Sequence, residues 1–144
     1  MPTPPRKLCL VAAEFNADIV GAMIHAATDE AGLAGASIVR TTRVPGCYEM
    51  PIVVSAELAR GDCDALVVLG YIERGETKHG EIMGQVVHHA LVRLEIEHGK
   101  PIGKGIIGPG ATIEQAQVRK DSYPRAAVRA ALRSLAALES ISKD

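Results

Sequence analysis

One short segment of this 144-residue chain gathers an acid, a hydroxyl and an imidazole, Gly75-Glu76-Thr77-Lys78-His79. An imidazole with an ordinary pKa of about 6.5 suits proton transfer at neutral pH, which makes His79 a candidate acid/base. A helix starting near His79 would point free backbone N–H groups and its positive dipole end at an anion, the makings of a phosphate site. Thr77 reads equally well as a plain helix cap. The guanidinium of Arg119 is suited to a bidentate grip on phosphate, and it could also be an ordinary surface charge. Phe15, the single phenylalanine, can stack on a planar heterocycle or plug a sheet end. His25, His88, His89 and His98 lack any comparable loop context and read as helix-surface or interface residues.

Several tempting motifs fail on context. Gly103-Lys104-Gly105-Ile106-Ile107-Gly108 matches GxGxxG but falls inside a strand, whereas dinucleotide binding needs the glycines between strand and helix. No Walker A spacing is present. His79-Gly80-Glu81 has no PCxxC partner, so a zinc deaminase site is not indicated. A GxSxG elbow is missing too. Cys9, Cys47 and Cys63 are too few and too widely spaced for a disulfide framework or a zinc ribbon. No metal and no organic cofactor is expected.

The elements that must hold these groups follow from apolar patterning. Strands are expected at 8–13, 37–42, 65–69 and 102–107; the unbroken run Ala65-Leu66-Val67-Val68-Leu69 implies burial on both faces. A first helix is capped by Asn16 or Asp18, with Ile19, Met23, Ala26, Ala27 and Leu33 facing inward. Pro51 marks the start of a second helix over 50–60. A loop runs from Gly70 to His79. A third helix carries Ile82, Val86, Ala90 and Leu94 and closes at Gly99. After the loop Gly108-Pro109-Gly110 come a short helix at 113–119 and a last one from about Pro124, capped by Ser122 and carrying Val128, Leu132, Leu135 and Leu138. The order βαβαβαβα specifies an α/β fold: one domain spanning 1–144, a three-layer α/β/α sandwich on a four-stranded, mostly parallel sheet, with 1–6 as an amino-terminal extension. In such sheets ligands bind beyond the strands' carboxyl ends. That rule selects the loops holding Phe15 and Asn16, Gly46-Cys47-Tyr48-Glu49, the 71–79 segment with Tyr71 and Ile72, and Gly108.

Composition narrows the function. Sixteen basic against 17 acidic residues give a net charge of −1, and 47% of residues are hydrophobic. No nucleic-acid or membrane-surface partner is indicated. The apolar run at 8–13 is too short to span a bilayer, and a reducing, cytoplasmic setting fits the cysteine usage.

Taken in order, Phe15-Asn16, Val44-Pro45-Gly46-Cys47-Tyr48-Glu49-Met50-Pro51, Leu69-Gly70, Arg74-Gly75-Glu76-Thr77-Lys78-His79 and Glu114-Gln115-Ala116 with Arg119 resemble the 6,7-dimethyl-8-ribityllumazine synthase family of riboflavin biosynthesis. The likeness covers about 8–138. It implies a flavodoxin-like fold and a cofactor-independent condensation of 5-amino-6-(D-ribitylamino)uracil with 3,4-dihydroxy-2-butanone 4-phosphate. By the same resemblance Phe15 stacks on the pyrimidine, Glu49 holds ribityl hydroxyls, and backbone at Cys47 and Tyr48 lines the cleft. Glu76, Thr77 and Arg119 surround the phosphate, and His79 moves protons. The resemblance also implies a cyclic homopentamer with sites shared between neighbours, alone or as twelve pentamers in a hollow icosahedral capsid. Two features resemble the archaeal variant: Lys104 stands where many members carry Phe, and the loop at 108–112 is one residue longer. The 120–125 stretch lacks the usual glycine- and lysine-rich segment, leaving Arg125 as the candidate ribityl contact. Two other readings share this cleft: an archaeal-type riboflavin synthase and a non-catalytic lumazine- or flavin-binding or shell protein.

Overall fold

A computed structural model describes residues 4–142. Strands β1 (Lys7–Ala13), β2 (Ser37–Val44), β3 (Ala65–Glu73) and β4 (Ile102–Ala111) pair in the order β2-β1-β3-β4, every pair parallel. A parallel neighbour cannot be reached by a tight turn, so helices α1 (Ala17–Leu33), α2 (Met50–Arg60) and α3 (His79–His98) carry the crossovers. Helices α4 (Ile113–Arg119) and α5 (Ser122–Ser142) follow β4. The expected flavodoxin-like α/β sandwich is therefore present. Residues 1–3 of the expected amino-terminal extension lie outside the described residues. Arg6 is tied in, pairing with Glu139 of α5 and accepting a 2.8 Å bond from Ser37 N–H at its carbonyl.

The period-2 alternation of a strand divides the core into two layers. Leu8, Leu10, Val67 and Leu69 face one side with Ile19, Met23 and Val128 from α1 and α5. Cys9, Val11, Leu66 and Val68 face the other with Val54, Leu58, Val87 and Leu91 from α2 and α3. The central strands are thus buried on both faces, while edge strand β2 alternates exposed and half-buried positions. The glycines of β4 serve close packing. A Cβ on Gly103 would lie 2.2 Å from the Ala127 carbonyl oxygen, and one on Gly105 would lie 3.0 Å from the Val68 carbonyl oxygen. Gly103, and Gly105 whose Cβ would lie 3.3 Å from the Ala127 methyl, let α5 lie directly against the sheet.

Several boundaries differ from expectation. β3 continues through Tyr71, Ile72 and Glu73, and β4 continues through Gly108-Pro109-Gly110 to Ala111, with a register shift between Tyr71 and Glu73. Residues 70–73 of the first expected loop are therefore a strand extension, while 74–78 remain a loop as expected; Gly108-Pro109-Gly110 lie within β4 but without register partners, between the Tyr71–Ile107 and Glu73–Ala111 pairs. Asn16 is the α1 cap: its side chain accepts from Ile19 N–H at 3.2 Å, in the left-handed conformation that Asn tolerates. Ser122 is the first residue of α5 rather than its cap. Leu33 is exposed, as are Ile82 and Val86, because Gly84, Val87 and Leu91 form the face of α3 turned to the sheet.

One polar network ties the β2 edge to α2. Arg40 Nε donates to both Glu57 carboxylate oxygens at 3.0 Å, and its terminal nitrogens reach Asp62 at 3.0 Å. Thr42 also donates to Glu57 at 3.0 Å. Glu57 is buried, and the Arg40 bonds, opposed by burial and aided by Thr42, hold its carboxyl below its ordinary 4.5. Asp62 is likewise held below its ordinary 3.8, chiefly by Arg40. A carboxyl depressed on folding contributes stability in full above its ordinary value and loses it as pH falls toward the folded value. Melting temperature is therefore expected to fall as pH drops below about 4.5. Arg40→Met is expected to lower the melting temperature at neutral pH and to flatten that acid dependence. An unchanged acid limb would show that these carboxylates do not set it. A separate substitution checks the packing of α5: Gly103→Ala should cost about 2–3 kcal/mol in urea unfolding, and a neutral result would contradict the close approach.

Candidate active site

Strands that all point one way bring their carboxyl ends to one rim. There the chain after β1 is latched to the chain after β2: Glu14 N–H donates to the Val44 carbonyl at 2.6 Å and Phe15 N–H to the Pro45 carbonyl at 3.2 Å. A single 3₁₀ turn, Cys47–Glu49, leads into α2. It is clamped by Gly46 N–H donating to the Glu49 carboxylate at 3.0 Å and by Glu49 N–H donating back to the Gly46 carbonyl at 3.2 Å.

These loops and the start of α3 enclose an open cleft of about 350 Å³. Of the residues singled out from sequence it gathers Phe15, Gly46, Cys47, Tyr71, Ile72, Thr77 and His79. Phe15 leaves half of its surface open and stacks toward Tyr71, with centroids 6.4 Å apart and planes 26° from parallel. Tyr71 is buried, its hydroxyl donating to the Ala111 carbonyl at 3.0 Å, and burial pushes its pKa up. Burial, and then the nearby Glu49 charge, push the Cys47 thiol up to about 11, so it lines the cleft as an inert apolar group at neutral pH. Gly70 leaves the room Cys47 needs, since a Cβ there would lie 2.7 Å from its sulfur.

His79 opens α3, its backbone N–H donating to Thr77 Oγ1 at 3.3 Å. The helix can start this close to β3 because position 80 is glycine: a Cβ there would approach the Ile72 side chain to 3.2 Å and the Glu73 carbonyl to 3.4 Å. Tyr48, exposed at the cleft edge, turns toward His79 edge to face, with centroids 6.2 Å apart and planes at 70°. Glu76 is exposed on the loop before α3.

Other singled-out residues lie elsewhere. Gly108 and Arg119 line a second, more polar cleft of about 240 Å³ with Ala111, Gln115 and Tyr123. There Arg119 donates to the Gln115 carbonyl at 3.0 Å. Arg119 thus lines a different cleft from Thr77 and His79. Arg125 is committed to carboxylates, with Asp29 at 2.7 Å, Asp121 at 3.1 Å and Glu30 at 3.4 Å, which join α5 to α1. Asn16 is occupied as the α1 cap. Among the remaining histidines, His88 is half-buried, and burial followed by the charge of Lys104 lowers its pKa.

Glu73, Gly75, Gly80 and Met83 also line the first cleft. Met83 was findable, being one helical turn beyond His79. Glu73 was not, because its place depends on where β3 ends. Potential metal-ligand atoms of Cys9, Asp62 and Cys63 lie within 4.8 Å of one another. Arg40 already supplies a cation there, 3.0 Å from Asp62 and 3.5 Å from the Cys9 sulfur.

The profile of the 6,7-dimethyl-8-ribityllumazine synthase family matches residues 5–139. A 6,7-dimethyl-8-ribityllumazine synthase of Staphylothermus marinus is 43% identical over 124 residues, 86% of this chain and 83% of its own length. The Pyrobaculum neutrophilum protein of that name is 40% identical over 138 residues, 96% of this chain and 91% of its own. Another, from Methanoculleus marisnigri, is 41% identical over 133 residues, 92% of this chain and 98% of its own.

All three cysteines are buried as free thiols. The native protein at neutral pH is expected to resist alkylation by iodoacetamide, and all three should react in urea. Rapid alkylation of Cys47 in the native state, read by peptide mass, would contradict its assignment as an inert lining group.

Proposed function

The chain belongs to the 6,7-dimethyl-8-ribityllumazine synthase family, and we propose that the carboxyl rim of its sheet performs that family's condensation of 5-amino-6-(D-ribitylamino)uracil with 3,4-dihydroxy-2-butanone 4-phosphate. One observation carries the reading: a single cleft holds an exposed aromatic face, a helix start and an imidazole, on Phe15, Thr77 and His79. The pyrimidine stacks on Phe15, with backbone at Gly46, Cys47 and Tyr48 along its edge. Glu49 reaches the ribityl hydroxyls as it clamps its turn, with Tyr71 and Ile72 forming the floor. Thr77, Glu76 and the free N–H groups of the first α3 turn hold the phosphate end.

The pyrimidine amine attacks the ketone carbon. The carbinolamine loses water to give an imine, phosphate leaves as the adjacent carbon gives up a proton, and ring closure expels a second water. Each step moves a proton, and His79 is the group placed to accept and return it. Holding two substrates in register is worth up to several kcal/mol, and the proton transfers add about 10²–10⁴-fold.

Arg119 completes the phosphate site from a second copy of the chain. This arrangement is supported by its place in a different cleft from Thr77 within one chain. Support for a partner also comes from the outward side of α3, where Ile82, Val86 and Ile96 are more than half exposed. The assembly is a cyclic pentamer, alone or as the unit of an icosahedral capsid. On α5 the small residues Ala126 and Ala130 face outward and are open to such a contact, while Ala127 and Ala131 are buried inside the chain. No helix among the described residues is long and apolar enough to cross a membrane. The free thiols suit a reducing cytoplasm.

Purified protein given both substrates is expected to form fluorescent lumazine and release one phosphate per product; neither signal appearing would overturn the reading. His79→Ala should slow turnover by about one to three powers of ten with the circular dichroism spectrum unchanged, and an unaltered rate would remove His79 from the chemistry. Arg119→Ala should raise KM for the four-carbon phosphate far more than for the pyrimidine; equal effects would contradict a phosphate contact. In solution, a fully active particle of monomer mass would refute the pentamer.

A further inference from the structure

We propose that Tyr48 is a positioning residue for His79, holding the imidazole where the reacting proton lies. This deepens the assignment of His79 to proton transfer and rests on it. The backbone of His79 is fixed by Thr77 and by the first turn of α3, in which Ile82 N–H donates to the Lys78 carbonyl at 3.0 Å. The side chain is exposed, and among the described residues the ring it meets is that of Tyr48, 6.2 Å between centroids with planes at 70°. That distance and tilt belong to the favoured edge-to-face arrangement of aromatic rings. An imidazole at a helix start otherwise samples several rotamers, and a general acid/base works only from the rotamer within hydrogen-bond reach of its proton.

Tyr48 is itself well placed to act as a stop. Its neighbours in the 3₁₀ turn region, Cys47 and Met50, are buried, and Glu49 closes the turn onto Gly46 from both directions. The ring is 41% exposed, so it carries little of the core. The contact joins two different loops. Tyr48 follows β2, on the loop assigned to the pyrimidine and ribityl chain, whereas His79 follows β3.

The test is a double-mutant cycle on the intact protein with both substrates, read by lumazine fluorescence. Wild-type protein that forms no lumazine overturns the assigned reaction and this role together. With wild type active, Tyr48→Ala is expected to lower kcat about three- to tenfold while KM for each substrate stays within about twofold. Tyr48→Phe, which keeps the ring, should recover most of that loss. In the His79→Ala background, Tyr48→Ala should cost nothing further. The same kcat loss with and without His79, or a raised pyrimidine KM at unchanged kcat, would overturn the proposal and make Tyr48 a substrate contact instead. Should either variant fold poorly, the His79 ring-proton resonances in Tyr48→Leu give a second reading. They are expected to shift when the neighbouring aromatic ring is lost, and unmoved resonances contradict the contact.

Discussion

Because β1, β2, β3 and β4 hydrogen-bond only as parallel neighbours, their carboxyl ends face one rim, and every crossover must begin there. The site follows from that direction. Phe15 comes after β1, the Gly46–Glu49 turn after β2, and Thr77 and His79 after β3. These three segments are far apart in sequence, yet the rim brings them together. Parallel pairing also demands burial on both faces, which fixes the β1 and β3 ends with little freedom. The groups at the rim stand on a rigid base, as a reaction dependent on orienting two substrates requires.

Small residues set how closely the layers meet. Glycine at 103 and 105 lets α5 lie on β4, glycine at 70 leaves room for the Cys47 sulfur, and glycine at 80 lets α3 start against the end of β3. Arg119 follows β4, at the sheet edge, and lines a cleft that contains neither Thr77 nor His79. That separation of clefts supports the proposal that a neighbouring chain supplies Arg119.

Much of this was legible in the sequence, for identifiable reasons. The 65–69 apolar run reports burial on both faces, Pro51 marks the first turn of α2, and the short helix expected at 113–119 has those bounds. Chemical residue types clustered after strands, so the candidate cleft could be drawn before its shape was seen. Strand ends were harder. Tyr71, Ile72 and Glu73 follow a glycine and look like loop, but Gly70 answers to the Cys47 sulfur rather than to a turn. The commitment of Arg125 to Asp29 and Glu30 was invisible, because it depends on α5 returning to α1 from far along the chain. The exposure of Ile82 and Val86 could not be foreseen from periodicity, which marks an apolar face without saying whether the sheet or another subunit covers it.

The central claim is that a complete site needs His79 from one chain and Arg119 from another. It is tested most directly by mixing. His79→Ala and Arg119→Ala chains, each impaired alone, are unfolded together and reassembled, and lumazine formation is measured against each variant reassembled by itself. A shared site predicts that the mixture regains activity well above either variant, because some interfaces then pair an intact His79 with an intact Arg119. Activity equal to the average of the two separate variants would contradict the account and place both residues in a site made by one chain.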